Sequence, residues 1–566
     1  MATPPRVPLT SPAQRSSSLT EMSNGSARTP IRLVDRPGAV FFVSLIVRVI
    51  LASVFLGSAD SMNALTAIPL AATRSFFFLP YFPIVQNILG ATTPLVNHAH
   101  FVPIGLSVKI VPCVVDSLIS VWLLQNSRFE LRYRRSSAWL YALCPLPLIL
   151  ICLQGQWDSL WVLPAVTALA LADLVANATK ARRTTLLLVG ALLGLAVLSK
   201  PAALIVAGLL LPSFRHRESI ARWIRDASLM MTGAAVTVVL FFLKFAANGV
   251  RVHQNVDGAI SYAGQPGATL FGPADLSIFG HFNSVQTSVA LDFRQLAFIY
   301  VIAIALYQLV ARRPVDRMSA AAAALLICPA IGGLAPQYLF WPFVFILASG
   351  RLRIASIYAV ISSFVYFLFF LIPGASYTPG ESLGALLPLR SLSFLGLPPG
   401  ALKWFSTPAA LDVWHSLANL YVPLAMCALG VYFMLSRSES PTMLNAPPIE
   451  PIELRSVRTV VPYTVIMVLV VLAYGMVSSH DASAAITSIY QGVNHYAFSK
   501  SIYTWRHWRI YYYWTLKHPY RHLLSGSWWG TILVLGPLAI AAWGVFALHA
   551  SRRIATGDRE INRSST

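Results

Sequence analysis

Long apolar stretches alternate with short polar segments along most of the chain, from residue 40 to residue 549. Many of these stretches approach the roughly 20 residues that a helix needs to cross the hydrocarbon core of a bilayer. We therefore predict an all-α, polytopic membrane protein of about 14 transmembrane helices, with interfacial helices in the longer loops. The predicted spans are 40–57, 103–124, 138–153, 159–176, 185–199, 201–213, 227–247, 294–311, 319–335, 339–349, 354–372, 413–435, 459–477 and 527–549.

Composition agrees with a membrane protein, because 56% of the residues are hydrophobic and only 11% are charged. Soluble domains carry about 25% charged residues. The net charge of +21 raises the possibility of a nucleic-acid-binding protein, but the basic residues recur in every second loop, as the positive-inside rule requires. Nucleic acid is therefore not expected as a partner. The basic loops lie at 128–135, 180–183, 215–225, 312–317, 351–353, 437–458 and 552–553.

This charge pattern places both termini in the cytosol and the alternate loops on the outer face of the membrane. The inner loops are too short for a soluble domain, so we expect any chemistry in the membrane or on its outer face. We predict a disordered cytosolic tail, a transmembrane module for catalysis, further helices with outer loops for acceptor binding, and a second cytosolic tail. These four segments are 1–38, 39–353, 354–550 and 551–566.

The first candidate for chemistry is Asp60, a carboxylate in "FLGSADSMNAL" just beyond the first predicted span. It is either a solvated helix end or a general base at the membrane interface, where one side of the carboxylate is wet and the other apolar. The same predicted outer loop contains Arg74, before the aromatic and proline-broken "LPYFPIVQ". That segment is typical of an interfacial helix or of ordinary membrane anchoring.

Two further outer turns bring polar residues to the same face. In "CLQGQWDSLWVLP" a helix ends at Gly155 and presents Gln156, Trp157 and Asp158, where Asp158 is also suited to cap the next helix. In "LSKPAALIV" Lys200 interrupts an apolar stretch. It either extends toward lipid headgroups or binds a lipid phosphate.

Other candidates lie in later outer segments. Gln337 and Tyr338 occupy a turn in "GLAPQYLFWPF", which is also compatible with an aromatic belt. The last predicted outer loop interleaves aromatic residues with Lys500, Arg506 and Arg509. This pattern favours a helix lying on the membrane and binding anionic headgroups, or one without a specific ligand.

Arg48 lies mid-span in the first predicted helix, and Asp116 lies mid-span in the second. Unpaired charges are costly at that depth, so we predict a buried structural pair. The five cysteines all lie in apolar stretches, without the spacing of a metal site, and we expect them to be small buried side chains.

The order of these motifs on one face resembles the GT-C superfamily of membrane glycosyltransferases. The resemblance covers roughly residues 40–350 and consists of Asp60, "LPYFP", "GQWDSL", "LSKPAAL" and "PQYLFWPF". "GQWDSL" is similar to bacterial mannosyltransferase-related members, and "PQYLFWP" is similar to an element of the mannosyltransferases of GPI-anchor synthesis. Two family features are absent: Ser61 follows Asp60 where some members have a second acidic residue, and Gln337 and Tyr338 replace a His-Glu pair.

The resemblance implies an inverting transfer of a hexose, with mannose favoured, from a polyprenyl-phosphate donor to a lipid or glycan acceptor. Asp60 would be the catalytic base, and Lys200, Arg294 and Arg74 would bind the donor phosphate. The sugar or acceptor would contact a set of polar and aromatic residues, and the last outer loop would bind headgroups. The sugar or acceptor set is Gln156, Trp157, Asp158, Gln337, Tyr338 and His281.

No metal or cofactor is expected besides the lipid-linked donor, and we expect a monomer in contact with membrane lipids. The predicted location is a bacterial plasma membrane or the endoplasmic reticulum, with the active site on the outer or lumenal face. Two other classes remain open. A transporter or flippase of lipid-linked sugars would have charges near the midplane and internal repeats, and a non-catalytic subunit of a glycan assembly machine would not need Asp60.

Overall fold

The protein was analysed as a computed structural model, and its described residues are helical apart from short turns and one pair of two-residue strands. This agrees with the predicted helical class. The described residues are 35–54, 84, 104–126, 128–175, 182–200, 202–213, 219–247, 268–269, 272–273, 302–303, 305–306, 316–332, 336–371, 421–435 and 538–552.

The elements follow in chain order, with a π-helix between α4 and α5, the strands between α8 and α9, and a 3₁₀ turn before α10. They are α1 (Pro37–Val54), α2 (Ile104–Gln125), α3 (Leu131–Ala142), α4 (Pro145–Leu148), the π-helix (Ile149–Gln154), α5 (Ser159–Val175), α6 (Arg182–Ser199), α7 (Ala203–Ser213), α8 (Ile220–Ala247), β1 (Ala268–Thr269), β2 (Gly272–Pro273), α9 (Arg317–Gly332), the 3₁₀ turn (Pro336–Leu339), α10 (Trp341–Ala348), α11 (Leu352–Leu371), α12 (Val422–Leu435) and α13 (Leu538–Arg552).

Three helical segments in the described part are long and apolar enough to span a membrane: Leu131–Cys152, Arg182–Ser199 and Ile220–Leu243. Seven shorter apolar helices accompany them. The predicted span at 459–477 lies outside the described residues. The total of about 14 spans therefore stays a prediction.

The predicted span at 138–153 is not one regular helix. It begins earlier, at Leu131, and α3 ends at Ala142 before a new helix starts at Pro145. Proline disfavours a helical conformation in the residue before it, and Cys144 is accordingly extended, with φ −65° and ψ 127°.

Two apolar helices, α5 and α10, are buried within the bundle. All eight residues of α10 are buried, and α5 is buried along most of its length. By contrast, α8 buries only a narrow stripe of residues and exposes large apolar side chains over much of its surface, which suits a helix facing lipid at the periphery. These side chains are Ile220, Ile224, Met231, Val236, Val239, Leu240 and Leu243.

Small residues allow α6 and α8 to pack closely. A side-chain carbon at Gly190 would lie 1.9 Å from the carbonyl oxygen of Met230, and one at Gly233 would lie 2.1 Å from that of Leu187. Gly190 and Gly194 are spaced as in the GxxxG motif, which lets two membrane helices approach backbone to backbone. The glycines of this motif therefore pack against another helix of the same chain.

The predicted pair of Arg48 and Asp116 is confirmed, and it joins α1 to α2 in the bundle core. Arg48 Nε donates to Asp116 Oδ2 over 2.6 Å, and both side chains are fully buried. Arg48 Nη1 also donates to the Ala142 carbonyl at 2.8 Å, and the Tyr141 hydroxyl donates to Asp116 Oδ1 at 2.6 Å. The charges are hydrogen-bonded on several sides, as a buried pair requires.

A second set of ion pairs links α5 and α9 to the α2–α3 turn. Arg128 pairs with Asp173 at 2.9 Å and also with Asp316, while Arg317 pairs with Asp173. Burial would lower the pKa of the Arg128 guanidinium, but Asp316 and Asp173 outweigh it and raise that pKa above its ordinary value. All of these residues except Asp173 belong to loops predicted to be cytosolic, so this network is at the predicted inner end.

Candidate functional site

Three polar turns that are distant in sequence meet at the N-terminal end of α5, opposite the end that carries the network of Arg128 and Arg317. Lys200, at the end of α6, donates from Nζ to Asp158 Oδ1 over 2.5 Å, just before α5 begins. The same Nζ lies 5.5 Å from the ring centroid of Tyr338 and 5.1 Å from that of Trp341. We call Asp158, Lys200, Tyr338, Trp341 and Trp161 the tip cluster.

An unusual backbone segment presents Asp158 to the cluster. The π-helix ends at Gly155, whose φ of 75° is in the left-handed region that favours glycine. The N–H groups of Gly155 and Gln156 both donate to the Leu150 carbonyl and so close the turn. Short π-helical segments frequently occur at functional sites, and this one ends beside two predicted site residues, Gln156 and Asp158.

The two oxygens of the Asp158 carboxylate differ in their hydrogen bonding. Oδ1 accepts from Lys200 and from the indole N–H groups of Trp341, at 2.7 Å, and Trp161, at 3.3 Å. Oδ2 is buried and has no hydrogen-bond partner among the described residues. Asp158 occupies the N-cap position of α5, but the predicted capping by its side chain is wrong, because the donors to its carboxylate are side chains: Trp161 of α5 itself, Trp341 and Lys200.

Lys200 does not simply extend toward headgroups, since its ammonium turns back onto a fully buried carboxylate. Its side chain is nevertheless 26% exposed, whereas that of Asp158 is 0% exposed. The positive charge predicted to bind phosphate is therefore present at the cluster, reachable from solvent, and compensated by Asp158.

The remaining predicted site residues divide into two groups. Gln156 and Trp157 are buried beside Asp158, Gln337 is half-buried next to Tyr338, and the Trp157 indole N–H is another buried donor without a hydrogen-bond partner in the described part. The others lie outside the described residues, so their roles stay predictions. They are Asp60, Arg74, His281, Arg294, Lys500, Arg506 and Arg509.

Sequence reasoning missed Lys109, which is fully buried in α2. Its Nζ donates to the carbonyl oxygen of Cys152, in the π-helix, over 2.6 Å. The last carbonyls of a helix lack donors within that helix, so Lys109 supplies one to the turn that carries Asp158. A lysine inside the apolar stretch 103–124 was the available signal. Trp161 and Trp341 were also missed as donors to Asp158.

Replacing Lys109 by Met is expected to loosen the turn at 153–158, because a hydrogen bond from a charged donor contributes about 1.5–3 kcal/mol. Hydrogen–deuterium exchange with mass spectrometry should show faster exchange in that peptide and unchanged exchange in α9. Arg222→Met, which removes an exposed cation on α8, is the matched control and should change neither. Unchanged exchange at 153–158 in Lys109→Met would contradict this role.

The two ends of α5 are chemically different. Asp158 and Asp173 are separated along the helix axis by about 22 Å, at roughly 1.5 Å per residue. One end carries aromatic rings and a single ion pair, and the other carries the network of Arg128 and Arg317. The described residues contain no group of three or more metal-ligating side chains. None of their five cysteines is in a disulfide bond, and all but the half-buried Cys427 are buried.

Comparisons with known proteins give one likeness. No protein-family model matches the sequence, and no curated protein matches it either. Among solved structures, the oligosaccharyltransferase of Archaeoglobus fulgidus in the apo form is similar at 15% identity and a TM-score of 0.32. The match covers 85% of this chain and 60% of that one, so this chain spans less than two thirds of that protein's length.

Proposed function

We propose that this protein is a membrane glycosyltransferase that transfers a hexose, mannose in the first instance, from a polyprenyl-phosphate donor to a lipid or glycan acceptor. The observation that carries the proposal is the tip cluster, where turns from α5, α6 and the 3₁₀ turn bring a cation, a carboxylate and aromatic rings together at one end of the bundle. Such a site combines charge for a phosphate with buried polar groups for hydroxyls.

The reaction is a single displacement at the anomeric carbon. Asp60 takes the proton from the acceptor hydroxyl while the acceptor oxygen forms its bond to that carbon. The bond from the carbon to the donor phosphate breaks, and its electron pair leaves with the phosphate. Lys200 stabilises the charge of the departing polyprenyl phosphate, with Arg294 and Arg74 as further candidates outside the described residues.

The distribution of polar contacts favours an enzyme over a transporter. Alternating access requires both ends of a bundle to open in turn. Here the predicted inner end is held by ion pairs that join α9 to α5 and to the α2–α3 turn. The pair of Arg48 and Asp116 occupies the core, where it is also hydrogen-bonded to the Ala142 carbonyl and the Tyr141 hydroxyl.

A transfer assay tests the proposal. Purified protein in proteoliposomes is supplied with radiolabelled polyprenyl-phosphate mannose, then with the glucose analogue, in the presence of total membrane lipids. We expect label to move into a lipid or glycan product, with release of polyprenyl phosphate, and no movement in protein-free vesicles. Movement of intact donor between leaflets without release of polyprenyl phosphate would replace this function by that of a flippase.

A further inference from the structure

The ion pair of the tip cluster joins two side chains with unequal freedom. Asp158 is completely buried, and two indole N–H groups hold its Oδ1 from the side of α5 and α10. Lys200 reaches the same oxygen from the exposed side of the cluster, with 26% of its side chain in contact with solvent. The carboxylate is therefore fully buried and held by its donors, whereas the lysine side chain is partly exposed.

From this geometry we infer that Asp158 and Lys200 form a latch: a phosphate monoester competes with Asp158 for Lys200, and Asp158 thereby sets the affinity for the phosphate. The inference rests on the proposed function for the identity of the ligand, which is the phosphate head of a polyprenyl phosphate. It extends that function by giving Asp158 a role opposite to ligand binding.

The Asp158 carboxylate keeps hydrogen-bond donors when Lys200 moves away. Trp341 Nε1, at 2.7 Å, and Trp161 Nε1, at 3.3 Å, continue to donate to Asp158 Oδ1 after Lys200 leaves. Without such donors, removal of one partner would leave an uncompensated buried charge, which is strongly unfavourable.

The lysine side chain is suited to such a movement. Its ammonium is a point charge on a flexible four-carbon stem, whereas an arginine would hold a carboxylate through two parallel hydrogen bonds. The faces of Tyr338 and Trp341, both within 5.5 Å of Nζ, stabilise the cation. Lys200 can therefore exchange one anion for another without losing all its contacts.

The latch is tested by measuring the affinity for polyprenyl phosphate, without any sugar, in two variants that should change this affinity in opposite directions. Lys200→Met should weaken binding by roughly tenfold or more, since a charged hydrogen bond is lost. Asp158→Asn should strengthen binding by a similar factor, because Lys200 is released while the indole N–H groups keep an acceptor. In the double variant the gain should vanish, leaving the affinity of Lys200→Met.

Three controls define the result. Arg353→Met removes an exposed cation away from the cluster and should leave the affinity unchanged. Inorganic phosphate should compete with polyprenyl phosphate, and phosphatidylglycerol should not. Thermal unfolding verifies that each variant is folded, and Asp158→Ser carries the same expectation if Asp158→Asn is unstable.

Weaker binding in both single variants would overturn the latch and indicate a structural pair. The same opposite signs with phosphatidylglycerol alone would also overturn it, because the ligand would then be bulk lipid. The outcome is separable from the proposed function. Opposite signs without sugar transfer would keep the latch and remove the transferase, and equal signs with intact transfer would do the reverse.

Discussion

Asp60→Asn is expected to lower the rate of sugar transfer by about 10²–10⁴-fold, the usual contribution of a general base. Asparagine has nearly the same shape as aspartate but cannot take the proton from the acceptor hydroxyl. Binding of polyprenyl-phosphate mannose should remain, since the base acts on the acceptor. The measurements are single-turnover transfer of radiolabelled mannose and equilibrium binding of the donor.

The matched control is Asp275→Asn, which removes a carboxylate from another predicted outer segment. Its transfer rate should equal that of the unchanged protein. Full activity in Asp60→Asn would assign the base to another residue, and loss of donor binding together with transfer would instead indicate that Asp60 holds the donor site in shape.

Arg48→Met is expected to have the largest effect on stability, about 3–5 kcal/mol, because it leaves Asp116 as a fully buried charge without its cation. Asp116 would keep the Tyr141 hydroxyl as a donor, but one neutral hydrogen bond does not replace an ion pair at this depth. Thermal unfolding in detergent should show a lower midpoint, and the yield of folded protein should fall.

The double variant Arg48→Met/Asp116→Asn decides whether the charge is the cause. Replacing both partners of a buried ion pair by neutral residues is often close to neutral in free energy. We therefore expect the double variant to be more stable than Arg48→Met alone. If the double variant is less stable than either single variant, packing around Arg48, rather than charge, dominates the stability of this region.

Several features of the fold could be predicted because they depend on local sequence or on burial alone. The pairing of Arg48 with Asp116 follows from the cost of a lone charge in an apolar span. The placement of Asp158, Lys200 and Tyr338 at one end of the bundle follows from counting helices between turns. The break at Pro145 was missed, although proline itself is the signal, because hydrophobicity alone marked 138–153 as one span.

The sequence did not predict which side chains of the candidate site would hydrogen-bond to one another. For each of two residues the sequence suggested a local role that needed no distant partner: Asp158 as a helix cap, and Lys200 as a cation at the membrane surface. The choice between these roles and an ion pair depends on how closely the ends of α5 and α6 approach, which is set by packing along their whole length. The same is true of Lys109, whose acceptor is a carbonyl made available by the π-helix.

The amino-acid order alone predicts a helical membrane chain and, through its charge pattern, an orientation, and it determines the chemical types of residue at each turn. These depend on transfer free energies of single segments, which need no knowledge of neighbours. The fold adds the contacts that give those residues their function: Lys200 is compensated rather than free, and Asp158 is a fixed acceptor rather than a cap. A hydrogen bond between two turns needs a donor–acceptor distance of about 3 Å. Turns that are distant in sequence come this close only when the helices have packed into the bundle.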